Sequence, residues 1–402
     1  MFGPILRAMS RNKTGAVLVA LQIAIALAVI VNAVFIVQQR VAFMQRDDGL
    51  ATDNIIAAGS FGFAADYDHH ATVAADLDML RSLPGVRSVT VSDSVPLSGS
   101  GSANGFEPSP DEDSNFDVVA NYYGIDEEGI ETLGVTLKEG RVFRAEEIYS
   151  VTAGEQHSPT KAIVTERFAK KLFPDETTFA GRYFYDGNGT PIEIVGVMDT
   201  MLGAWLGWEE VGNVVLFPFI SGGPMTRYML NVESDQLDAL IPLVEDKLAF
   251  SNTSRLVNTV RSLREISDKS YSGARGMAVA LMVVIALLIT VTALGIVGLA
   301  AFNVRQRTKQ IGTRRAVGAK RSDILRYFLT ENWLMTTAGV ILGVVLSLLL
   351  NYYLATEYSL ERLDPVYLPL GVLTMWALGL LAVLGPARRA SVISPAVATR
   401  TV

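Results

Sequence analysis

Four long stretches without a charged residue decide most of what this chain can become. Residues 15–37, 276–301 and 334–354 hold no Asp, Glu, Lys or Arg, and 368–384 form a shorter fourth stretch. A run of about 18 or more apolar residues is long enough to cross the hydrocarbon core of a bilayer as a helix. In lipid the backbone must satisfy its own hydrogen bonds, which a helix does within one segment. The first run is far longer than the roughly 7–15-residue core of a signal peptide, and "VQQRVAF" after it lacks small residues at cleavage spacing. It reads as an uncleaved anchor. The fold class expected is a membrane α-helical protein with four transmembrane helices and a large mixed α/β periplasmic domain inserted between the first and second.

Charge orients these spans. Outside residues 41–270 there are 17 Lys/Arg against 5 Asp/Glu, and within 41–270 there are 17 against 36. The basic residues lie where short segments meet the spans: Arg7, Arg11 and Lys13, then 305–328, then Arg388, Arg389 and Arg400. Lys and Arg are retained on the cytoplasmic side of membrane helices. Both termini and the 303–330 loop are therefore expected in the cytoplasm, and 41–270 outside, in periplasm or extracellular medium. The segments expected are 1–14 (cytoplasmic), 15–40 (first span), 41–270 (outside), 271–302 (second span) and 303–330 (cytoplasmic). They continue with 331–354 (third span), 355–367 (outside), 368–386 (fourth span) and 387–402 (cytoplasmic).

The 305–328 stretch, "RQRTKQIGTRRAVGAKRSDILRYF", carries eight Lys/Arg and one Asp. It is short, with aromatics only at its membrane end, which argues against nucleic acid. Anionic lipid headgroups are the expected partners of Arg305 and Arg307.

Within 41–270 the pattern alternates between strands and helices. "DNIIAA" reads as a strand, residues 70–83 as a helix stopped by Pro84-Gly85, and 86–95 as a strand, a βαβ-like start. Residues 96–115, rich in Gly, Ser, Pro and acid, read as a mobile loop. "GRYFYDGNGTPIEIVGVMD" reads as a hairpin. Residues 234–250 read as a helix with Ser234 at its N-cap, and 258–276 as an amphipathic helix running into the second span. Two βαβ-like ends surround a middle insertion.

In the first span Ala16, Ala20, Ala24, Ala28 and Asn32 recur every four residues, and the third carries Gly339-x-x-x-Gly343. Such faces let membrane helices approach closely, within one bundle or between subunits.

Catalytic patterns are missing from the sequence. No G-x-x-x-x-G-K-[ST], H-E-x-x-H or G-x-S-x-G occurs, and there is no cysteine. His69 and His70 diverge by about 100° on a helix and read as exposed, with His157 in a polar loop, so no metal site is expected. The uncharged spans leave nothing for an ion relay.

The cytoplasmic stretch, with "FLTENWL" after it, resembles the MacB/FtsX-like permease family of ABC transporters. Ile311, Gly312, Arg314, Arg315, Ala316, Gly318 and Ala319 match its motif. Gln310 stands where Glu is common and Thr313 where an apolar residue is usual. "GPARRASVISPAVATR" resembles the family's closing pattern, and "LPGVRSVTVSDSVPLSGSG", "TLGVTLKEGRVF" and "TERFAKKLFPD" resemble the MacB-type periplasmic core.

The resemblance implies that residues 310–312, 314–316 and 318–320, including Lys320, form the contact with a separate ABC ATPase subunit. That subunit would bind ATP and Mg; no cofactor and no catalytic residue is expected in this chain. It also implies a second permease copy or a related permease, a periplasmic adaptor, and mechanotransmission that drives extrusion of a periplasmic substrate. An FtsX-like regulator of a partner such as a cell-wall hydrolase is the alternative. Gly318 reads as a helix stop and Ser322 as an N-cap. Ile324, Leu325, Phe328 and Leu329 would then face the membrane from a helix lying on its surface, with Arg314 and Arg315 projecting into the cytosol.

Overall fold

A computed structural model describes residues 13–110, 118–152, 159–358 and 361–394. Arg7, Arg11, His157 and Arg400 lie outside these residues. Contacts divide the chain into Met1–Gln45 with Ala274–Val402, and Arg46–Gly273. The first unit opens with a long helix, α1 (Lys13–Gln45).

The second unit begins with β1 (Ile55–Gly62), α2 (His69–Arg81) and β2 (Val86–Ser92). It continues through β3 (Ser102–Glu107), β4 (Val118–Gly124), α3 (Gly129–Leu133), β5 (Leu137–Gly140), β6 (Tyr149–Thr152) and β7 (Lys161–Thr165). Next come α4 (Glu166–Leu172), β8 (Tyr183–Asp186), β9 (Pro191–Met198), β10 (Val214–Phe217) and β11 (Phe219–Gly222). β12 (Met225–Val232), α5 (Leu237–Ser251), β13 (Arg255–Ser262) and α6 (Leu263–Ser270) close it.

The two ends of this unit build one sheet in the order β13-β1-β12-β2, with every neighbouring pair antiparallel. β1–α2–β2 and β12–α5–β13 are thus interleaved split βαβ units, a ferredoxin-like arrangement. Ile56, Val89, Tyr228 and Leu230 of the sheet pack with Leu80 of α2 and Val244 and Leu248 of α5. Inside this core the Tyr228 hydroxyl donates to Asp76 at 2.6 Å, and Arg255 forms a two-pronged ion pair with the same carboxylate.

The middle insertion, strands β3 to β11, holds a sheet in the order β5-β9-β7-β10-β4-β3-β8. β8 also pairs with β9, so six of these strands close into a ring. Closure leaves those six without a free edge. Its filling mixes aliphatic side chains with phenylalanines, and the rings of Phe106, Phe168 and Phe184 meet edge to face at 5.3–5.7 Å. β6 pairs in parallel with β11 beside it.

Several expectations are corrected here. The stretch 96–115 is not all loop: Ser102–Glu107 is a strand held between β4 and β8, and 111–117 lie outside the described residues. Residues 258–262 belong to β13 rather than to a helix, because this strand completes the sheet beside β1. Thr259 there takes a left-handed φ of 52° at the register shift opposite Ala58/Gly59, and a Cβ on Gly59 would lie 2.3 Å from Asn258 Oδ1. The helix after it starts at Leu263, with the Ser262 hydroxyl accepting from Glu265 N. Ser234 does not cap α5; its hydroxyl bonds Asn54 Oδ1 at 2.8 Å instead. His69 is buried, its imidazole held mainly by desolvation below the usual histidine range, whereas His70 is exposed.

The base of this unit is clasped. Arg46, the residue after α1, bonds the Tyr271 hydroxyl at 3.3 Å, one residue before the next long helix. Ser270 donates to Leu97 O, and Leu97 N to Gly203 O, so the insertion is fastened to the same point.

The first unit resumes as α7 (Ser272–Gln306), α8 (Thr308–Ala316), α9 (Arg321–Tyr358) and α10 (Tyr367–Ser391). Among the described residues, four helices are long and apolar enough to cross a membrane: α1, α7, α9 and α10. α1 is the hub. Over its most apolar window 56% of the residues are buried, against 11% for α7. Its Ala20 and Ala24 carbonyls would lie 2.7 and 3.0 Å from a Cβ placed on Gly339 or Gly343 of α9, so glycine permits this approach. Ala24 and Ala28 are buried, Ala16 and Ala20 half-buried, and Asn32 continues the contact by bonding Ser347. These faces are covered within one chain.

Candidate functional site: a basic helical hairpin

The hairpin Thr308–Phe328 is built by two end signals. α8 ends in a Schellman turn: Ala319 N donates to Arg314 O at 3.0 Å and Gly318 N to Arg315 O at 3.2 Å. Gly318 carries the required positive φ, 101°. α9 is started by Asp323, whose carboxylate accepts from Lys320 N at 2.9 Å. Ser322 therefore lies inside the helix and is not the N-cap, a correction explained by the stronger carboxylate partner two residues from the helix start.

Nor is the second arm a separate helix lying on a membrane surface. α9 runs unbroken for 38 residues, about 57 Å at ~1.5 Å per residue. Ile324 and Phe328 are buried at its start together with Ile311 of α8 and Ala387 and Ala390 of α10. Ile324 and Phe328 thus face neighbouring helices, while Leu325 and Leu329 are half-buried.

The motif residues divide accordingly. Ile311 and Gly312 face inwards, and Ala319 is half-buried. Gln310, Arg314, Ala316, Gly318 and Lys320 are exposed, as is Thr313. Arg314 lies over the Tyr327 ring, 5.1 Å from its centre. Arg315 does not project outwards as expected: Nη1 donates to Ser391 O at 2.7 Å at the end of α10, where carbonyls lack helical partners. Arg307 is likewise no lipid-facing residue. It pairs with Glu331, whose side chain is 4% exposed.

Sequence reasoning missed Val317, Tyr327 and Glu331. Val317 is 84% exposed at the hairpin tip, an apolar knob set between Arg314 and Lys320. A hydrophobic residue next to the turn glycine was the available signal. Glu331 is the first residue of the expected third span, 331–354, just ahead of its uncharged stretch 334–354, so its burial was hidden by reading the span as free of charge.

Among the described residues no group of three His, Cys, Asp or Glu could hold a metal ion. The hairpin is instead a basic element with one strongly exposed apolar residue, Val317, at its tip.

The chain combines four helices long and apolar enough to cross a membrane with an α/β domain inserted after the first, and permease family models match both parts. A model of the MacB-like periplasmic core domain matches residues 16–247, and one of the FtsX-like permease C-terminal domain matches 282–395. The chain belongs to the MacB/FtsX-like family of ABC transporter permeases.

It is 26% identical over 411 residues to the macrolide export ATP-binding/permease protein MacB of Shigella boydii, covering 97% of this chain and 58% of that protein. The protein of the same name from Vibrio parahaemolyticus is 26% identical over 366 residues, covering 88% and 52%. The chain thus spans little more than half the length of these relatives. Among solved structures it is similar to the periplasmic region of MacB from Actinobacillus actinomycetemcomitans, with 15% identity, a TM-score of 0.33, and 56% and 96% coverage. For the extracellular domain of the Gram-positive transporter YknZ the values are 16%, 0.31, 50% and 100%.

Proposed function

We propose that this chain is a membrane permease subunit that receives ATP-driven motion at the hairpin and transmits it to the inserted domain, extruding a substrate from the periplasm. The observation that carries this reading is the hairpin itself. Its apolar side packs against α10, while Gln310, Arg314, Val317 and Lys320 are exposed on the other, with Arg314 resting over the Tyr327 ring. Force applied there moves membrane helices rather than a loose loop.

The positive-inside bias puts the hairpin and both termini in the cytoplasm and residues 41–270 outside. The energy source is a separate ABC ATPase subunit holding ATP and Mg. A second permease copy meets the sparsely covered α7, and a periplasmic adaptor carries the substrate onward. The inner membrane is the site of action. The uncharged stretches 15–37, 276–301, 334–354 and 368–384 fit a machine that moves its outer part without opening a hydrophilic path.

The test is reconstitution of the chain with its candidate ATPase. Charge reversal at Arg314 with Val317→Asp should lower permease-stimulated ATP hydrolysis at least fivefold while expression stays normal. Unchanged stimulation refutes the reading.

A further inference from the structure

Arg307 occupies the joint between two helices. α7 ends at Gln306 and α8 starts at Thr308, with Arg307 between them at φ −103°, ψ 13°. Its backbone keeps both ladders, Arg307 N to Asn303 O at 3.1 Å and Ile311 N to Arg307 O at 2.9 Å. An arginine at the end of an apolar helix ordinarily extends its head towards water or headgroups. This one turns inwards. Nη1 lies 3.0 and 2.9 Å from the two carboxylate oxygens of Glu331 and 3.1 Å from the Tyr327 hydroxyl.

The pair is nearly dry, at 17% and 4% side-chain exposure. Burying two charges costs desolvation that an apolar pair of the same size avoids, so net stability alone does not explain it. Geometry does. Tyr327 also carries the Arg314 guanidinium over its ring, so one chain of contacts runs Arg314–Tyr327–Arg307–Glu331. It starts on the exposed side of α8 and ends beside a small cavity where Val19 of α1, Asn303 of α7, Glu331 of α9 and Val383 of α10 converge.

We propose that Arg307 and Glu331 are positioning residues that lock the α7–α8 joint to α9, so that hairpin and membrane helices turn as one body. This deepens the coupling role proposed above and rests on it only for the ATPase readout.

The chain has no cysteine, so paired spin labels can be placed cleanly. Lys309→Cys and Arg326→Cys put labels on exposed positions of α8 and α9. In lipid nanodiscs the distance distribution should be narrow, should broaden at least twofold in Glu331→Gln, and should narrow again in the exchanged pair Arg307→Glu/Glu331→Arg. ATPase stimulation should follow the same order, falling at least fivefold and recovering by half or more, while co-purification of the ATPase subunit stays unchanged. Should Glu331→Gln not be monodisperse, Tyr327→Phe, which removes only the hydroxyl, should give a smaller broadening.

An unchanged distribution in Glu331→Gln or Tyr327→Phe, or an exchanged pair no better than its single parts, overturns the proposal. Should the unaltered chain stimulate no ATPase, the coupling reading fails, while the label distances still decide the joint.

Discussion

The Asn32 side-chain amide donates to the carbonyl and the hydroxyl of Ser347 at 3.1 and 3.2 Å, tying α1 to α9. Below it, small residues do the remaining work of close approach. Gly339→Leu should therefore force the helices apart at the Ala20 carbonyl. Overpacking of this kind costs about 1–3 kcal/mol, and Asn32→Leu about 1 kcal/mol. Thermal unfolding in detergent checks both, with Gly339→Leu expected to lower the midpoint more.

Asp76 and Arg255 are fully enclosed in the ferredoxin-like core, at 2% and 0% side-chain exposure. Removing one partner strands a buried charge, a loss of about 3–5 kcal/mol. Arg255→Met should thus be far more destabilising than the double change Asp76→Leu/Arg255→Met. Denaturant titration of the inserted domain's fluorescence in the full chain measures the difference.

Arg314 and Arg315 are adjacent but differently employed, so their single reversals should differ. Arg314→Glu should reduce ATPase stimulation with little change in melting temperature, because its head is exposed. Arg315→Glu should also lower the melting temperature, since it removes the donor to Ser391 O at the end of α10. Equal melting temperatures would contradict the assignment of Arg315 to the helix end.

Asp126 accepts from Thr90 Oγ1 at 2.7 Å where the insertion meets β2, and burial pushes its carboxyl up to about 6. The native state therefore keeps a proton that the unfolded chain, titrating near ~3.9, has released. The resulting stabilisation is present below the unfolded value and is lost as pH rises through about 6. Melting temperature should fall between pH 4 and 6 through this group, with ~3 kcal/mol as its upper scale. Asp126→Asn should flatten that slope, and an unaltered slope would show that other groups set it.

How far the sequence revealed this molecule follows from the range of the forces involved. Spans were legible because a bilayer imposes length and excludes charge over contiguous residues. Gly318 was legible as a helix stop for a similarly local reason. The sheet order β13-β1-β12-β2 was not, because β1 meets partners some 170 and 200 residues away and periodicity says nothing about which strand lies beside which. The same limit hid the closure of β8 onto β9 into a ring, although the hairpin itself was readable. At the site, the motif located the hairpin, but the inward turn of Arg307 depended on Glu331, which only the unbroken course of α9 brings into position.

Ile56 pairs with Ser262, so the strand by which the chain comes into the inserted domain lies beside the one by which it leaves. Everything hung from that doorway is a single excursion, and its threading makes no demand on the helices on either side. Strands β3 to β11 are likewise hung between the paired neighbours β2 and β12, so the middle of the domain can lengthen or shorten without altering the pairing at which the chain enters and leaves.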